Sequence, residues 1–443
     1  MKSELKRDAE AGAEGHATVF VRIGRNIGWL LGGRAFSAIV SIAYLAIAAR
    51  ALGPARFGAF VIVLTYGQLI ANLVQFQSWK GVIRFGAIHV AQNRLDRLAR
   101  LLGFTATLDW ASAAVGALIA IVAVPVVGPL LHWSAGEQGT AAIFGAVLLL
   151  TTGATPTGLL RLFDRFDLLT WTEAISPLVR LLGSIIAWWL GGGIAAYLWV
   201  WALAAFGQMV GQWTAALLIR RSKIAIGRRS FALAVSENSR LWRFMLQTNL
   251  SNSLSLFWLQ TGTLAVGSVA GAVQAGGFRI ADRMTKGVIK PVETLTRALY
   301  PEMARLVATD ERTVLRTVLI RTSWIAAGFS VAIVAIAGLA GGPILALVAG
   351  KEFEFASGYL FLLAISAAID LTGFALEPFH NAHGRSGRVL RSRAIGAAAY
   401  AGLLGVLLPT IGAEGAAFAS IGASLVMFLQ LALSTVQILG IRR

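Results

Sequence analysis

Apolar residues run in stretches of about twenty along the whole chain, parted by short basic or glycine-bearing segments. Twelve stretches can be read, near 27–49, 57–79, 101–125, 141–160, 170–190, 194–219, 246–270, 274–298, 318–340, 357–379, 391–409 and 415–438. Each is close to the ~20 residues that a helix needs to cross the hydrocarbon core of a bilayer. The pattern predicts an all-α membrane protein of about twelve transmembrane helices. Residues 1–25 form a polar tail, 26–219 a first six-helix bundle, 220–245 a basic linker and 246–443 a second six-helix bundle.

Composition agrees. The chain is 57% hydrophobic and 14% charged, with a mean hydropathy of +0.71. It has no cysteine, which excludes disulfides, thiolate metal sites and cysteine nucleophiles. The formal net charge is +18. In a soluble chain that points to nucleic acid, but here its placement explains it. With the N-terminus inside, 30 of the 39 Lys and Arg fall in inner loops and termini. Three (Arg50, Arg56, Lys351) fall outside and six lie within spans. The excess of positive charge on the cytoplasmic face predicts that both termini lie inside, and implies no nucleic-acid partner.

A half-chain repeat is visible. Gly53-Pro-Ala-Arg-Phe-Gly58-Ala-Phe60 and Gly271-Ala-Val-Gln-Ala-Gly276-Gly-Phe278 both read G-x4-G-x-F, 218 residues apart. Ala195-Ala196-Tyr197 and Ala416-Ala417-Phe418 echo each other at an offset of 221. Six spans per half is an even number, so both halves enter the membrane from the same side. The two bundles are then related by a pseudo-twofold axis along the membrane normal, with a cargo site expected between them.

Span 8 carries the most informative chemistry. Arg279, Arg283, Lys286, Lys290 and Arg297 follow helical spacing and share one face of an otherwise apolar helix. A charge at bilayer depth costs several kcal/mol, so such a stripe implies a wet cavity or an anionic partner. Arginine forks match phosphate oxygens in pairs, and lysine adds a mobile point charge. Asp282 stands one turn before Lys286 and is placed to pair with it. Arg34 in span 1 and Arg180 in span 5 are further intramembrane cations, with Glu173 a candidate ion-pair partner for Arg180. Asp109 in span 3 and Asp370 and Glu377 in span 10 are intramembrane acids. These can carry a coupling proton or Na⁺, or serve as counter-ions to the basic residues. His380 and His383 are read as part of a solvated basic loop rather than as metal ligands. Walker A, Gly-x-Ser-x-Gly and His-Glu-x-x-His motifs are absent, as is any large outer loop, so neither an enzyme nor a cofactor is implied.

Ala49-Arg50-Ala51-Leu52-Gly53-Pro54-Ala55-Arg56-Phe57-Gly58-Ala59-Phe60 resembles the a-R-x-L-G-P-x-x-[FY]-G-x-[FY] signature that follows the first span of polysaccharide transporters. Those are the Wzx-like flippases of the multidrug/oligosaccharidyl-lipid/polysaccharide (MOP) superfamily. Gly276-Gly277-Phe278-Arg279-Ile280-Ala281-Asp282-Arg283, Lys290-Pro291 and Leu299-Tyr300-Pro301 are similar to the eighth-span region of that family. The resemblance implies a MATE-like pair of bundles that flips a polyprenyl-diphosphate-linked oligosaccharide across the bacterial inner membrane by alternating access. The cargo implied is an O-antigen, capsule or exopolysaccharide repeat unit. Carried over, Arg279, Arg283, Lys286 and Lys290 would bind the diphosphate or acidic sugars, and Arg34 matches a basic cavity position; Arg180 rests on depth alone. Membrane lipids, a polysaccharide polymerase and assembly proteins are the partners implied, for a chain acting as a monomer. The alternative is a MATE-like cation/drug antiporter working through intramembrane acids, against which the cationic excess argues.

Overall fold

The computed structural model describes residues 2–220, 231–238, 240–309 and 311–439. Side chains are described outside 2–35, 38, 220, 231–232, 250–259, 290–298, 300–302, 304, 308 and 386. Among the described residues the secondary structure is helical, with no strand. A helix satisfies its own backbone, which is why apolar runs of this length take that form in lipid. Among the described residues, eight helical segments are long and apolar enough to cross a bilayer: Ile39–Ala91, Leu95–Val122, Ala135–Leu162, Ile194–Ile219, Arg312–Ala349, Lys351–Ala382, Gly387–Ile411 and Ala413–Ile438. The other expected stretches are helical too, within the helices that hold 27–49, 170–190, 246–270 and 274–298.

The helices run in order as α1 (Lys2–Val74), α2 (Ser78–Ala91), α3 (Leu95–Val122), α4 (Val124–Leu130), α5 (Ala135–Leu150), α6 (Ala154–Leu162), α7 (Phe166–Trp189), α8 (Ile194–Arg220) and α9 (Phe231–Glu237). They continue as α10 (Leu241–Ala270), α11 (Ala272–Ala308), α12 (Arg312–Ala349), a 3₁₀ turn (Lys351–Ala356), α13 (Ser357–Thr372), α14 (Leu376–Ala382), α15 (Ser386–Ile411) and α16 (Ala413–Ile438). They pack as two compact units. Unit 1 holds residues up to Tyr44 with Gly67–Val124 and Gly139–Phe257; unit 2 holds Leu45–Tyr66, Pro125–Gln138 and the chain from Trp258 onward.

In unit 1, Val82, Phe85, Leu98, Leu101, Leu102, Leu159, Leu241 and Met245 form a continuous apolar core. Around it, Arg100 is bonded to Glu237 at 2.6 Å and Asp96 at 2.7 Å, and His89 Nε2 lies 2.9 Å from Asn238 Oδ1, which ties α9 onto α2 and α3. In unit 2, Met303, Leu306, Leu315, Leu319 and Phe379 build one core. An aromatic chain, Phe57–Phe353–Phe355–Tyr359–Phe278, builds another region, with ring centroids 5.6 to 6.3 Å apart. His380 lies beside Phe379 in the first of these cores: it is in α14, is fully buried, and its Nδ1 sits 2.9 Å from the Leu376 carbonyl. The expectation of a solvated loop is therefore corrected, because the chain continues as helix beneath Phe379.

The repeat extends into the backbone. Gly53 (φ 68°, ψ 170°) matches Gly271 (φ 86°, ψ 174°) at the 218-residue offset. Both lie in a region open almost only to glycine. Each ends one helical segment and opens the next, with Pro54 at the first helical position after Gly53, where its missing N–H costs nothing. Three further left-handed residues pair likewise: His132 with Gly350, Asp164 with Gly384, and Gly191 with Gly412, at offsets of 218, 220 and 221. Within unit 2 the two motifs meet. A Cβ at Gly58 would collide with the Ala272 carbonyl, and one at Gly276 would lie 3.1 Å from Gly58 Cα.

Candidate functional site

The left-handed residue Gly271 starts α11, which carries the predicted stripe through unit 2. Arg279 Nη1 donates to Gln260 Oε1 of α10 at 3.3 Å. Gln260 is itself buried, so a neutral carboxamide meets the guanidinium there. Arg283 is half-buried on the same face and makes contacts of its own. Lys286 Nζ pairs with Asp282 at 2.6 Å, one turn back along the helix, as the spacing predicts. Asp282 is the more enclosed partner, with its side chain 14% exposed against 38% for lysine. The pair therefore tethers one face of the ammonium and leaves another accessible. The side chains of Lys290 and Arg297, and that of Arg34 in α1, lie outside the described residues.

Asp370 is exposed on α13, within electrostatic reach of Lys286 and Glu377 and close to Ser424 of α16. Ser366, one turn earlier, meets Ser424 hydroxyl to hydroxyl at 3.0 Å. Glu377 takes a two-pronged salt bridge from Arg393 of α15, at 2.9 and 2.8 Å. The Tyr400 hydroxyl of α15 packs directly on Gly262 of α10, so a Cβ there would force the ring to shift. The stripe thus sits in unit 2 among amide, hydroxyl and carboxylate groups of α10, α13 and α16.

Two predicted residues stand apart, in unit 1. Arg180 Nη1 donates to the Tyr44 hydroxyl at 3.3 Å, and its guanidinium lies 5.0 Å from the Trp201 ring. Tyr44 and Trp201 meet edge to face at 4.8 Å. A planar cation held by aromatic faces keeps its charge without a carboxylate. Glu173 is 3.9 Å from Arg161 of α6, a nearer partner than Arg180 two turns along its own helix. Trp201 is buried, whereas Trp188 and Trp189 are exposed.

Asp109 is 2% exposed and accepts three hydrogen bonds: from the Ser78 hydroxyl, from the Thr155 hydroxyl at 2.7 Å and from the Thr155 N–H at 2.9 Å. Ser78 opens α2 and Thr155 stands in the first turn of α6. One carboxylate thus caps the start of α6 through the Thr155 N–H and holds the Ser78 hydroxyl at the start of α2. Both helices follow breaks, at residues 75–77 and 151–153. Non-helical backbone at membrane depth needs new partners. Gln75 Nε2 supplies one to the Leu149 carbonyl at 3.2 Å, and Trp213 Nε1 another to the Thr152 carbonyl at 3.0 Å. Sequence reasoning missed these donors and Gln260. Their partners lie on other helices, and nothing in the spacing along one helix marks these positions. Among the described residues no cluster of histidine and carboxylate groups is arranged to hold a metal ion.

Many spans, a half-chain repeat and helices broken at membrane depth are the architecture of a membrane transporter, and the relatives of this chain place it in the MOP superfamily. Its fold is similar to the inward-facing form of a multidrug resistance MATE family transporter of that superfamily (15% identity, TM-score 0.73, covering 92% of this chain and 99% of that one). It is also similar to the lipid II flippase MurJ in an inward closed conformation (12% identity, TM-score 0.67, covering 92% of this chain and 87% of that one). In sequence it is 30% identical over 340 residues to "Inner membrane protein YghQ" of Escherichia coli (strain K12), covering 75% of this chain and 94% of that protein. Residues 23–307 match the family described as "Polysaccharide biosynthesis protein", and the chain belongs to that family. Its members are transporters rather than enzymes.

Proposed function

We propose that the chain flips a polyprenyl-diphosphate-linked oligosaccharide, an O-antigen, capsule or exopolysaccharide repeat unit, across the bacterial inner membrane by alternating access. Its termini face the cytoplasm. Arg279, Arg283, Lys286 and Lys290 take the anionic head group, with Arg34 and Arg180 as further cavity cations. Asp282, Asp370 and Glu377 act as counter-ions or coupling groups, and Asp109 chiefly as a cap. The polyprenyl tail stays in lipid, while a polymerase and assembly proteins receive the glycan outside.

The observation that carries this reading is an asymmetry in the repeat. The same helix in the first half holds Val61, Thr65, Gln68 and Asn72 where α11 holds Arg279, Arg283, Lys286 and Lys290. The fold is built twice, and only one copy carries charge. The charge is therefore not a requirement of the helix, and at bilayer depth it has to be matched by something anionic. Diphosphate is such a group, and a sugar head group cannot cross ~30 Å of hydrocarbon unaided. The sign of the stripe speaks against a cationic drug as cargo.

The test is export in a host lacking the gene. Arg283→Ala, at wild-type protein level, is expected to abolish export and to leave lipid-linked oligosaccharide on the inner leaflet. Arg283→Lys keeps the charge and is expected to retain part of the activity. Normal export by Arg283→Ala would refute the stripe as the cargo site.

A further inference from the structure

Cations in unit 1 are held in two ways. Arg100 takes Glu237 and Asp96 at 2.6 and 2.7 Å, and Arg165 takes Asp167 at 2.9 Å. Around α2 the support is aromatic instead. Lys80 Nζ lies 5.5 Å from the centroid of the Trp79 ring, and the Arg161 guanidinium of α6 lies 4.4 Å from the same ring. One turn along α2, the Arg84 guanidinium lies 4.6 Å from the Phe244 ring of α10 and 5.6 Å from that of Phe85. Glu173 stands 3.9 Å from Arg161, and among the described residues no carboxylate pairs with Lys80 or Arg84. An aromatic face attracts a cation without neutralising it, so the charge stays available to an anion.

The packing of unit 1 fixes this arrangement. A Cβ at Gly158 of α6 would lie 2.8 Å from Trp79 Cα, and one at Gly81 would lie 2.6 Å from Met245 Sδ of α10, so both helices rest directly on α2. Lys80 and Arg84 stand one turn apart, about 40° round the helix. Lys80 is half-buried and Arg84 exposed, with Ile88 exposed one turn further on. The apolar run of span 2 ends at Trp79, which puts these groups at headgroup level, where tryptophan and basic residues gather. We infer that unit 1 binds the headgroup of an anionic phospholipid at Lys80, Arg84 and Arg161, beside the rings of Trp79 and Phe244. Basic pockets between transmembrane helices take such headgroups. Polyprenyl diphosphate also carries phosphate, but ordinary phospholipid is far more abundant in a bilayer, and occupancy follows concentration. The site lies within unit 1 and does not depend on the flippase reading.

The experiment is native mass spectrometry of the full-length protein, delipidated in detergent and titrated with phosphatidylglycerol or with phosphatidylcholine of the same acyl chains. Wild type is expected to bind the first phosphatidylglycerol about ten-fold more tightly than phosphatidylcholine. Its thermal midpoint is expected to rise with the anionic lipid alone. Lys80→Gln with Arg84→Gln is expected to abolish both differences. Arg316→Gln with Arg321→Gln removes as much charge from exposed positions of α12, where among the described residues no ring supports it, and is expected to keep them. No preference in wild type, or equal loss in both double variants, overturns the site in favour of diffuse attraction. Polyprenyl diphosphate and inorganic phosphate are then added in turn as competitors, each at the concentration of bound phosphatidylglycerol, and neither is expected to displace it. Displacement by the first would assign these side chains to cargo, and displacement by the second would make them a site for free anions; either result overturns the phospholipid.

Discussion

Single positions in this chain are dictated by backbone geometry more than by side-chain chemistry. Gly53 and Gly271 adopt dihedral angles that a Cβ resists, although the space around Gly271 is open. Gly271→Ala is therefore expected to lower stability by about 1–3 kcal/mol through strain alone, read as a lower thermal midpoint of the detergent-solubilised protein. The repeat supplies a converse case. His132 holds a positive φ (56°), and the matching Gly350 has a positive φ of its own (110°). Histidine tolerates that region better than branched residues do, but glycine meets no penalty there. His132→Gly is expected to raise stability by up to about 1 kcal/mol in the same assay. Asp109 illustrates a chemical constraint. Asp109→Asn keeps the shape but loses the charge that caps α6 and holds Ser78 of α2, and its amide turns a donor toward groups that already donate. A cost of roughly 1–3 kcal/mol is expected. A midpoint equal to wild type would show that the carboxylate is dispensable to the fold.

At the scale of elements, periodicity made the helices and the stripe of α11 legible, because spacing along one helix needs no knowledge of its neighbours. The Lys286–Asp282 pair was legible for the same reason. Partners on other helices were not. Glu377 closes on Arg393, 16 residues on in the next helix, and Asp109 reaches Ser78 and Thr155 across 31 and 46 residues. Sequence distance gives no hint of those distances in space. Glu173 shows the bias directly: spacing pairs it with Arg180 on its own helix, and it lies by Arg161 on the adjacent one. Element packing also yields a prediction for α9. Glu237 anchors this short helix to Arg100, with both side chains less than a quarter exposed. Glu237→Arg is expected to lower the thermal midpoint, and the swap Arg100→Glu with Glu237→Arg to restore most of it. Failure of the swap to rescue would mean that Asp96 and Arg97, which share the site, set its polarity instead.

Across the whole molecule, positive charge does two jobs that sequence alone cannot separate, and position in the helices separates them. Arg94, Arg97, Arg305, Arg312, Arg385 and Arg388 stand at helix ends, where they bias the direction of insertion. Arg279 and Arg283 stand in the first third of a 37-residue helix, far along the chain from those positions. If the two jobs are distinct, they dissociate. Replacing Arg385, Arg388 and Arg391 together by alanine is expected to increase the fraction of chains whose C-terminal reporter lies outside. Export per correctly inserted molecule should stay near wild type, because these side chains are remote from the stripe along the sequence and sit at the start of α15. Arg283→Ala is expected to do the reverse, with an unchanged reporter signal and lost export. The deciding measurement is the pair of readings on each variant, a C-terminal topology reporter and surface glycan normalised to inserted protein. Loss of both readings together in both variants would mean that orientation and transport share one set of charges, and that α11 is basic only to hold the chain in the membrane the right way round.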